Sequence, residues 1–273
     1  MVSQEQRKRQ LAREKFLRQQ QRRTSARRKA RMRNSVIASV LGVIVIGSVA
    51  LYTTGVLKKD DDKTNASADV TPSASAPSKA PDPCEKAAAG SVKKLSWKKE
   101  PAVTIDKSAK YTMKLATTCG DIDVALKTSA APHTVNSFNF LAGQGYFDHT
   151  KCHRLTTNGI YVLQCGDPTG TGSGGPGYTI PDENLKDSSL KANVYPAGTV
   201  AMANTGQKHT GGSQFFLVYA DSQLPPNYAP FGTVDAAGLK VLKKIATAGE
   251  NTGAGDGAPN ATVVINKATV TKS

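Results

Sequence analysis

The residues able to do chemistry in this chain gather in three stretches. The first runs from Cys152 to Tyr178 (CHRLTTNGIYVLQCGDPTGTGSGGPGY) and offers a His-Arg pair, two cysteines, a glutamine and a glycine-rich run. The second is Gly198 to Tyr219 (GTVAMANTGQKHTGGSQFFLVY) and the third Leu224 to Val234 (LPPNYAPFGTV). Gly166 to Gly177 contains G-x-G-x-x-G in two overlapping registers. A dinucleotide site needs a helix after the third glycine, whereas Pro176 and Tyr178-Thr179-Ile180 favour a loop followed by extended chain. No Gly-Lys-Ser/Thr, G-x-S-x-G or H-E-x-x-H occurs, so phosphate-loop, serine-hydrolase and zinc-protease chemistry lose their usual support. His153 lies beside Cys152, but ligand pairs at tight zinc spacing are missing, and neither a metal nor a cofactor is expected. His133, His149 and His209 read as helix-start or loop residues.

Cys84, Cys119, Cys152 and Cys165 allow three pairings. Asn158-Gly159 is a hairpin signal, and a two-residue turn there opposes residues whose numbers sum to 317. Cys152 then faces Cys165, within reach of a disulfide. Cys84 with Cys119 follows by elimination, and a fully reduced set stays open.

These residues need a scaffold. Tyr111 to Ala116 and Asp121 to Leu126 alternate as two strands joined at Cys119-Gly120. His133 to Leu141 reads as a short helix opened by Pro132 and ended at Gly143. Further strands are expected at Cys152–Leu155, Ile160–Cys165, Thr199–Ala203, Gln214–Tyr219 and Phe231–Val234. A helix is expected over Ala236 to Ala248 and a closing strand over Thr262 to Val270. Many strands, two helices and glycine- and proline-rich connections predict a mainly β barrel or sandwich with helices outside.

The 273 residues carry a net charge of +15 and are 38% hydrophobic, which excludes collagen-like, wholly disordered and polytopic membrane chains. The charge is unevenly placed. Residues 1–33 hold 13 Lys/Arg against 2 acids. Residues 34–57 are uncharged and, as a helix, would reach roughly 36 Å, enough to span a bilayer core. Lys58 to Lys63 (KKDDDK) sums to zero, so the positive-inside rule puts 1–33 in the cytoplasm and the rest outside. An uncleaved single-pass anchor in the cell membrane is favoured over a cleaved signal peptide. The tail 1–33 suits anionic lipid headgroups; with no aromatic interleaving, nucleic acid is not expected as a partner. Residues 58–83 read as a linker and 84–108 as a lead-in to a domain at 109–273, with Trp97 as its anchor. A monomer is expected.

Taken together and in this order, the three stretches resemble the cyclophilin family of peptidyl-prolyl cis–trans isomerases, over roughly Tyr111 to Val270, and its membrane-anchored or secreted bacterial members most of all. The resemblance implies a closed eight-stranded antiparallel barrel capped by two helices, with an outer groove for proline-containing polypeptides. It also implies roles. Arg154 matches the catalytic arginine and His153 the histidine before it. Gln164 matches the glutamine beside the peptide, and Met202, Ala203 and Asn204 match the M-A-N segment. Gln214 and Phe216 match S-Q-F-F, with Phe216 as the floor of the proline pocket and Leu224 on its rim. Arg154, Gln164 and Asn204 are then catalytic, and Phe216, Tyr161, Leu224, Met202 and Val162 form the apolar slot.

This chain departs from the family in several places. Tyr161 stands where Phe is usual, Gln223 where the Trp tied to cyclosporin affinity is usual, and Tyr228 where a rim His is usual. Arg154 to Gln164 is two residues longer than the family spacing, and Asn204 to Gln214 one longer. A strict two-residue turn at Asn158-Gly159 would put Arg154 and Gln164 on opposite faces. A longer loop or a bulge over 156–160 would bring them together and weaken the direct Cys152–Cys165 opposition.

Overall fold

The computed structural model describes residues 81–273; the expected basic tail, the span 34–57 and nearly all of the linker lie outside them. Among the described residues no helix is long and apolar enough to cross a membrane.

The chain opens its sheet with a hairpin. β1 (Tyr111–Thr117) and β2 (Gly120–Leu126) pair antiparallel, and Met113, Leu115, Ile122 and Val124 point inward. Helix α1 (Pro132–Gly143) follows, with proline at its start, where the missing N–H costs nothing. Its N-cap, Ala131, offers no side chain, and a distant carboxylate serves instead. Glu183 accepts from the His133 and Thr134 N–H groups and from the Thr134 hydroxyl, satisfying donors that a helix start otherwise leaves open. Phe138 of α1 enters an aromatic core with Phe147, Phe215 and Phe231, with ring centroids 4.5–5.4 Å from its own.

The remaining strands are β3 (Thr150–Lys151), β4 (Arg154–Thr156), β5 (Val162–Cys165), β6 (Val194–Tyr195), β7 (Thr199–Met202), β8 (Phe215–Val218), β9 (Ser222–Gln223), β10 (Pro230–Val234), β11 (Asp256–Gly257) and β12 (Val264–Lys272). Helix α2 (Ala236–Thr247) is capped by Asp235, which accepts from the Gly238 N–H at 2.7 Å. Gly238 lets α2 press onto β2, since a Cβ there would meet Ile122 and Val234.

One ten-stranded sheet takes the order β11-β4-β5-β8-β7-β10-β2-β1-β12-β3, and β6 and β9 form a separate pair. The expected mainly β architecture with two helices is thus a curled antiparallel sheet, and β3 at one end of the order runs on through Cys152-His153 into β4 near the other. The curl has a local cause. Cys152 N–H bonds to Val263 beside β12, and His153 N–H bonds to Gln164 of β5, so consecutive residues engage opposite parts of the sheet. The strand expected over Cys152–Leu155 is broken at this seam into β3 and β4.

Disulfides join Cys84 to Cys119 and Cys152 to Cys165. The hairpin register differs from the two-residue turn: Arg154 opposes Gln164 and Leu155 opposes Leu163, with residues 157–161 as the loop. That is one residue off the expected sum, and it turns Arg154 and Gln164 to the same face.

Residues 84–108 lie along the folded unit. Glu85 N–H bonds to Thr118, and Ala88 N–H to the Asn266 side chain. The Trp97 ring packs edge-on against Phe140 at 5.0 Å, and the Trp97 backbone N–H donates to the Pro176 carbonyl.

Candidate active site

Cross-strand register sorts the candidate residues by face. Directly opposed residues of an antiparallel ladder share a face, and chain neighbours point to opposite ones. Arg154 opposes Gln164, Gln164 opposes Phe216, and Phe216 opposes Ala201. One row thus crosses β4, β5, β8 and β7, with Val162 and Val218 in the next row on the same face. The rows between point inward. Leu155, Leu163, Leu217 and Val200 are buried in the main core, and so are Cys165, Phe215 and Met202. Met202, expected in the apolar slot, is therefore a core residue packed away from the Phe216 face.

The outward row has a polar half and an apolar half. In the polar half Arg154 is forked onto Asp256 of β11, Nε to Oδ1 at 2.7 Å and Nη2 to Oδ2 at 2.8 Å. Its remaining nitrogen, Nη1, donates to Gln164 Oε1 at 3.2 Å. Gln164 Nε2 donates to Gln214 Oε1 at 2.9 Å, and Gln214 Nε2 to the Gly174 carbonyl at 2.9 Å. The chain of bonds runs one way, so each amide has a single orientation. The Asp256 carboxylate raises the Arg154 guanidinium above its ordinary value, and Arg154 holds the Asp256 carboxyl below its own. Arg154 is charged throughout the physiological range.

The apolar half is a second buried cluster, distinct from the main core: Phe216, Val162, Ala201, Val218, Tyr195 and Leu224. Ala203, Tyr228 and Ile160 are half-buried against it. The Tyr228 ring meets Phe216 edge-on at 5.4 Å. Tyr195 fixes that wall from behind, its hydroxyl donating to the Tyr228 carbonyl at 2.8 Å, and burial pushes its phenol up to about 12.

Three expected residues turn their side chains elsewhere. Tyr161 packs against the main core, its ring edge-on to Tyr219 at 5.8 Å, rather than in the Phe216 cluster. The Asn204 side chain braces a loop, donating to the Asn227 carbonyl and accepting from Gly206 N–H. Both ring nitrogens of His153 are buried without a partner among the described residues. Burial lowers the pKa of that ring, which sits under the loop at Gly172.

The glycine-rich run wraps a carboxylate of its own. Buried Asp167 accepts from the N–H groups of Thr169, Thr171 and Gly172. Burial works to raise its pKa, but these bonds and the Thr169 hydroxyl prevail and lower it. A side chain at Gly174 would strike Asp167. The glycines thus serve a tight internal loop, and this loop edges a groove of about 1090 Å³ whose lining includes Gln164, Gln214, Ala203 and Asn204.

Asp256 and Tyr195 are the site residues that sequence reasoning missed. Asp256 stands alone in a glycine-rich turn and Tyr195 in a two-residue strand, too short for periodicity to register.

Comparisons with known proteins place the chain among its relatives. The family described as "Cyclophilin type peptidyl-prolyl cis-trans isomerase/CLD" matches residues 112–270. A "Probable peptidyl-prolyl cis-trans isomerase B" of Mycobacterium leprae is 52% identical over 58% of this chain and 56% of its own length. Its namesake in Mycobacterium tuberculosis is 49% identical over 53% of its length, so the chain spans little more than half of these two relatives. The peptidyl-prolyl cis-trans isomerase B of Bacillus subtilis is 40% identical over 45% of this chain and 82% of its own. A crystal structure of a Cryptosporidium parvum cyclophilin-type isomerase superposes with a TM-score of 0.50 at 27% identity, covering 60% of this chain and 99% of that one. The same protein was also solved in the presence of the dipeptide Ala-Pro. With matched sequence, matched fold and an arginine-to-phenylalanine row on the outer face, this chain belongs to the cyclophilin-type peptidyl-prolyl cis-trans isomerase family.

Proposed function

We propose that this chain catalyses cis–trans isomerisation of X–Pro bonds in polypeptides outside the cytoplasm, assisting their folding, and that residues 34–57 tether it to the membrane. The observation carrying the catalytic part is the row in which Arg154, Gln164 and Phe216 share one face. Rotation about X–Pro is slow, with a barrier of about 18–20 kcal/mol, because the nitrogen lone pair is delocalised into the carbonyl. No bond need be made or broken. A hydrogen bond to that nitrogen becomes available only as it pyramidalises, so a donor placed there favours the twisted state over either planar one. Arg154 is that donor in this reading. Asp256 engages Nε and Nη2, and Nη1 lies on the Gln164 side. The prolyl ring rests on Phe216 between Val162, Leu224 and Tyr228, where exclusion of water strengthens the polar contact. Gln164 and the Asn204 backbone hold the flanking carbonyls.

Exchange NMR on a proline peptide with the full chain tests this reading. Accelerated exchange that Arg154→Ala abolishes is expected. Peptide binding without acceleration would make the domain a proline-binding module instead.

The tether and its orientation are supported by 13 basic residues before the uncharged stretch and a balanced KKDDDK after it. Two disulfides in the domain suit an oxidising compartment. Protease protection in intact cells tests this part: digestion of the domain from outside, with residues 1–33 protected, is expected. The tail is read as resting on anionic lipid and the protein as a monomer.

A further inference from the structure

The groove does not end at the proline slot. Gln164, Gln214, Ala203 and Asn204 line it, and so do Lys98 and Lys99. Both lysines lie in the lead-in, ahead of the residues 112–270 that define the family match. The lead-in is firmly seated there. The Cys84–Cys119 disulfide fastens its start, and Trp97, the residue before Lys98, packs on Phe140 and Tyr146 and bonds to Pro176. Gly177, with φ +89, makes that seat possible: any side chain there would strike Ser96 and the Trp97 carbonyl.

The charges along the groove are unequal. Lys98 and Lys99 are exposed and have no ion-pair partner among the described residues. Glu100, the one carboxylate lining the groove, is turned to His133 Nδ1 at 2.7 Å. A peptide with its proline on Phe216 would carry one flank over Gln164, whose row Phe216 shares, and Gln164 lines this groove together with the lysines. The groove lining thus presents two cations without an ion-pair partner among the described residues.

We infer that Lys98 and Lys99 form a subsite selecting substrates with an acidic residue on one flank, a few positions from the proline. The inference rests on the isomerase reading for its meaning in catalysis, but the subsite is a matter of binding and is tested as such.

Four fluorescent peptides with one proline are titrated into the full chain, carrying Glu or Gln three residues before or three residues after it. At one of the two placements the Glu peptide is expected to bind about two- to fivefold more tightly than its Gln counterpart at low salt, the range of exposed ion pairs. The preference should vanish in the doubly substituted Lys98→Gln, Lys99→Gln chain and at high salt, while the Gln peptides bind both chains equally. Equal binding of Glu and Gln peptides at both placements would overturn the inference, as would a preference that survives the double substitution. Exchange NMR on the Gln peptides reports the isomerase reading separately: no acceleration there would refute turnover and leave the binding comparison to decide the subsite.

Discussion

Arg154 and Asp256, 102 positions apart in the chain, meet as a two-pronged fork, Nε on one carboxylate oxygen and Nη2 on the other. The contact exists because β11 pairs with β4, placing Asp256 opposite Thr156 and one alternation along from Arg154. A forked pair fixes the plane of the guanidinium as well as its place, which a single bond would not. Asp256 thus acts as a positioning residue for the third nitrogen. Asp256→Asn and Asp256→Ala should lower kcat/KM by about ten- to hundredfold, with the peptide Kd little changed, because misplacement of a reacting group is costly. Asp256→Glu should recover part of the loss. Equal losses in all three variants, or a loss confined to Kd, would refute the positioning role.

Arg154→Lys keeps the charge and discards the fork. Lysine cannot engage Asp256 and Gln164 from one rigid plane. The loss in kcat/KM should be about 10²-fold, close to that of Arg154→Ala, with an unchanged unfolding midpoint in urea. Near-normal activity in the lysine variant would mean that charge alone suffices.

Phe216→Ala should cost both binding and stability. The ring is 5% exposed and is the piece of the second cluster that Tyr195 and Tyr228 pack around. Its removal leaves a cavity worth about 3 kcal/mol or more. Urea unfolding should report that loss, and proline-peptide binding should fall with it. Phe216→Leu should restore most of the stability.

The pH profile of kcat/KM should lack an inflection at the ordinary histidine value. His153 is the titrating neighbour of Arg154, and burial lowers its pKa below 6.5. Its neutral form is therefore favoured on folding, so stability from this group is present at neutral pH and is lost as pH falls through its unfolded value toward its folded one. Asp256 titrates lower still than an ordinary aspartate, since Arg154 stabilises its charge. Activity should therefore show no midpoint at 6.5. An inflection centred at 6.5, removed by His153→Gln, would contradict the burial of that ring.

Glu183→Ala removes the acceptor for two backbone N–H groups at the start of α1. A lost cap costs about 1 kcal/mol, visible as a lower urea midpoint with unchanged kcat/KM.

Much of the molecule was legible in the sequence because it depends on local rules. The alternation in Tyr111 to Ala116 and Asp121 to Leu126 gave β1 and β2, and Pro132 and Gly143 bounded α1. The three motifs, read in order, put Arg154, Gln164 and Phe216 at one site. What local rules could not supply were features that arise when distant segments meet. Met202 and Ala203 are chain neighbours that face opposite ways, and only the pairing of β7 with β8 says which faces in. The loop at Asn158-Gly159 looked like a two-residue turn, yet the pairing with β8 and the seam at Cys152-His153 favour a register one residue away.

The sequence by itself determined the family, the identities of the reacting groups and the charge asymmetry of the N-terminus, because each is carried by residue type and order along the chain. The tertiary structure alone decided that Asp256 aims Arg154, that Tyr195 backs the apolar slot, and that Lys98 and Lys99 stand at the groove. Those features join segments tens of residues apart, and only the pairing of β11 with β4, the β6–β9 pair and the seating of the lead-in bring them together.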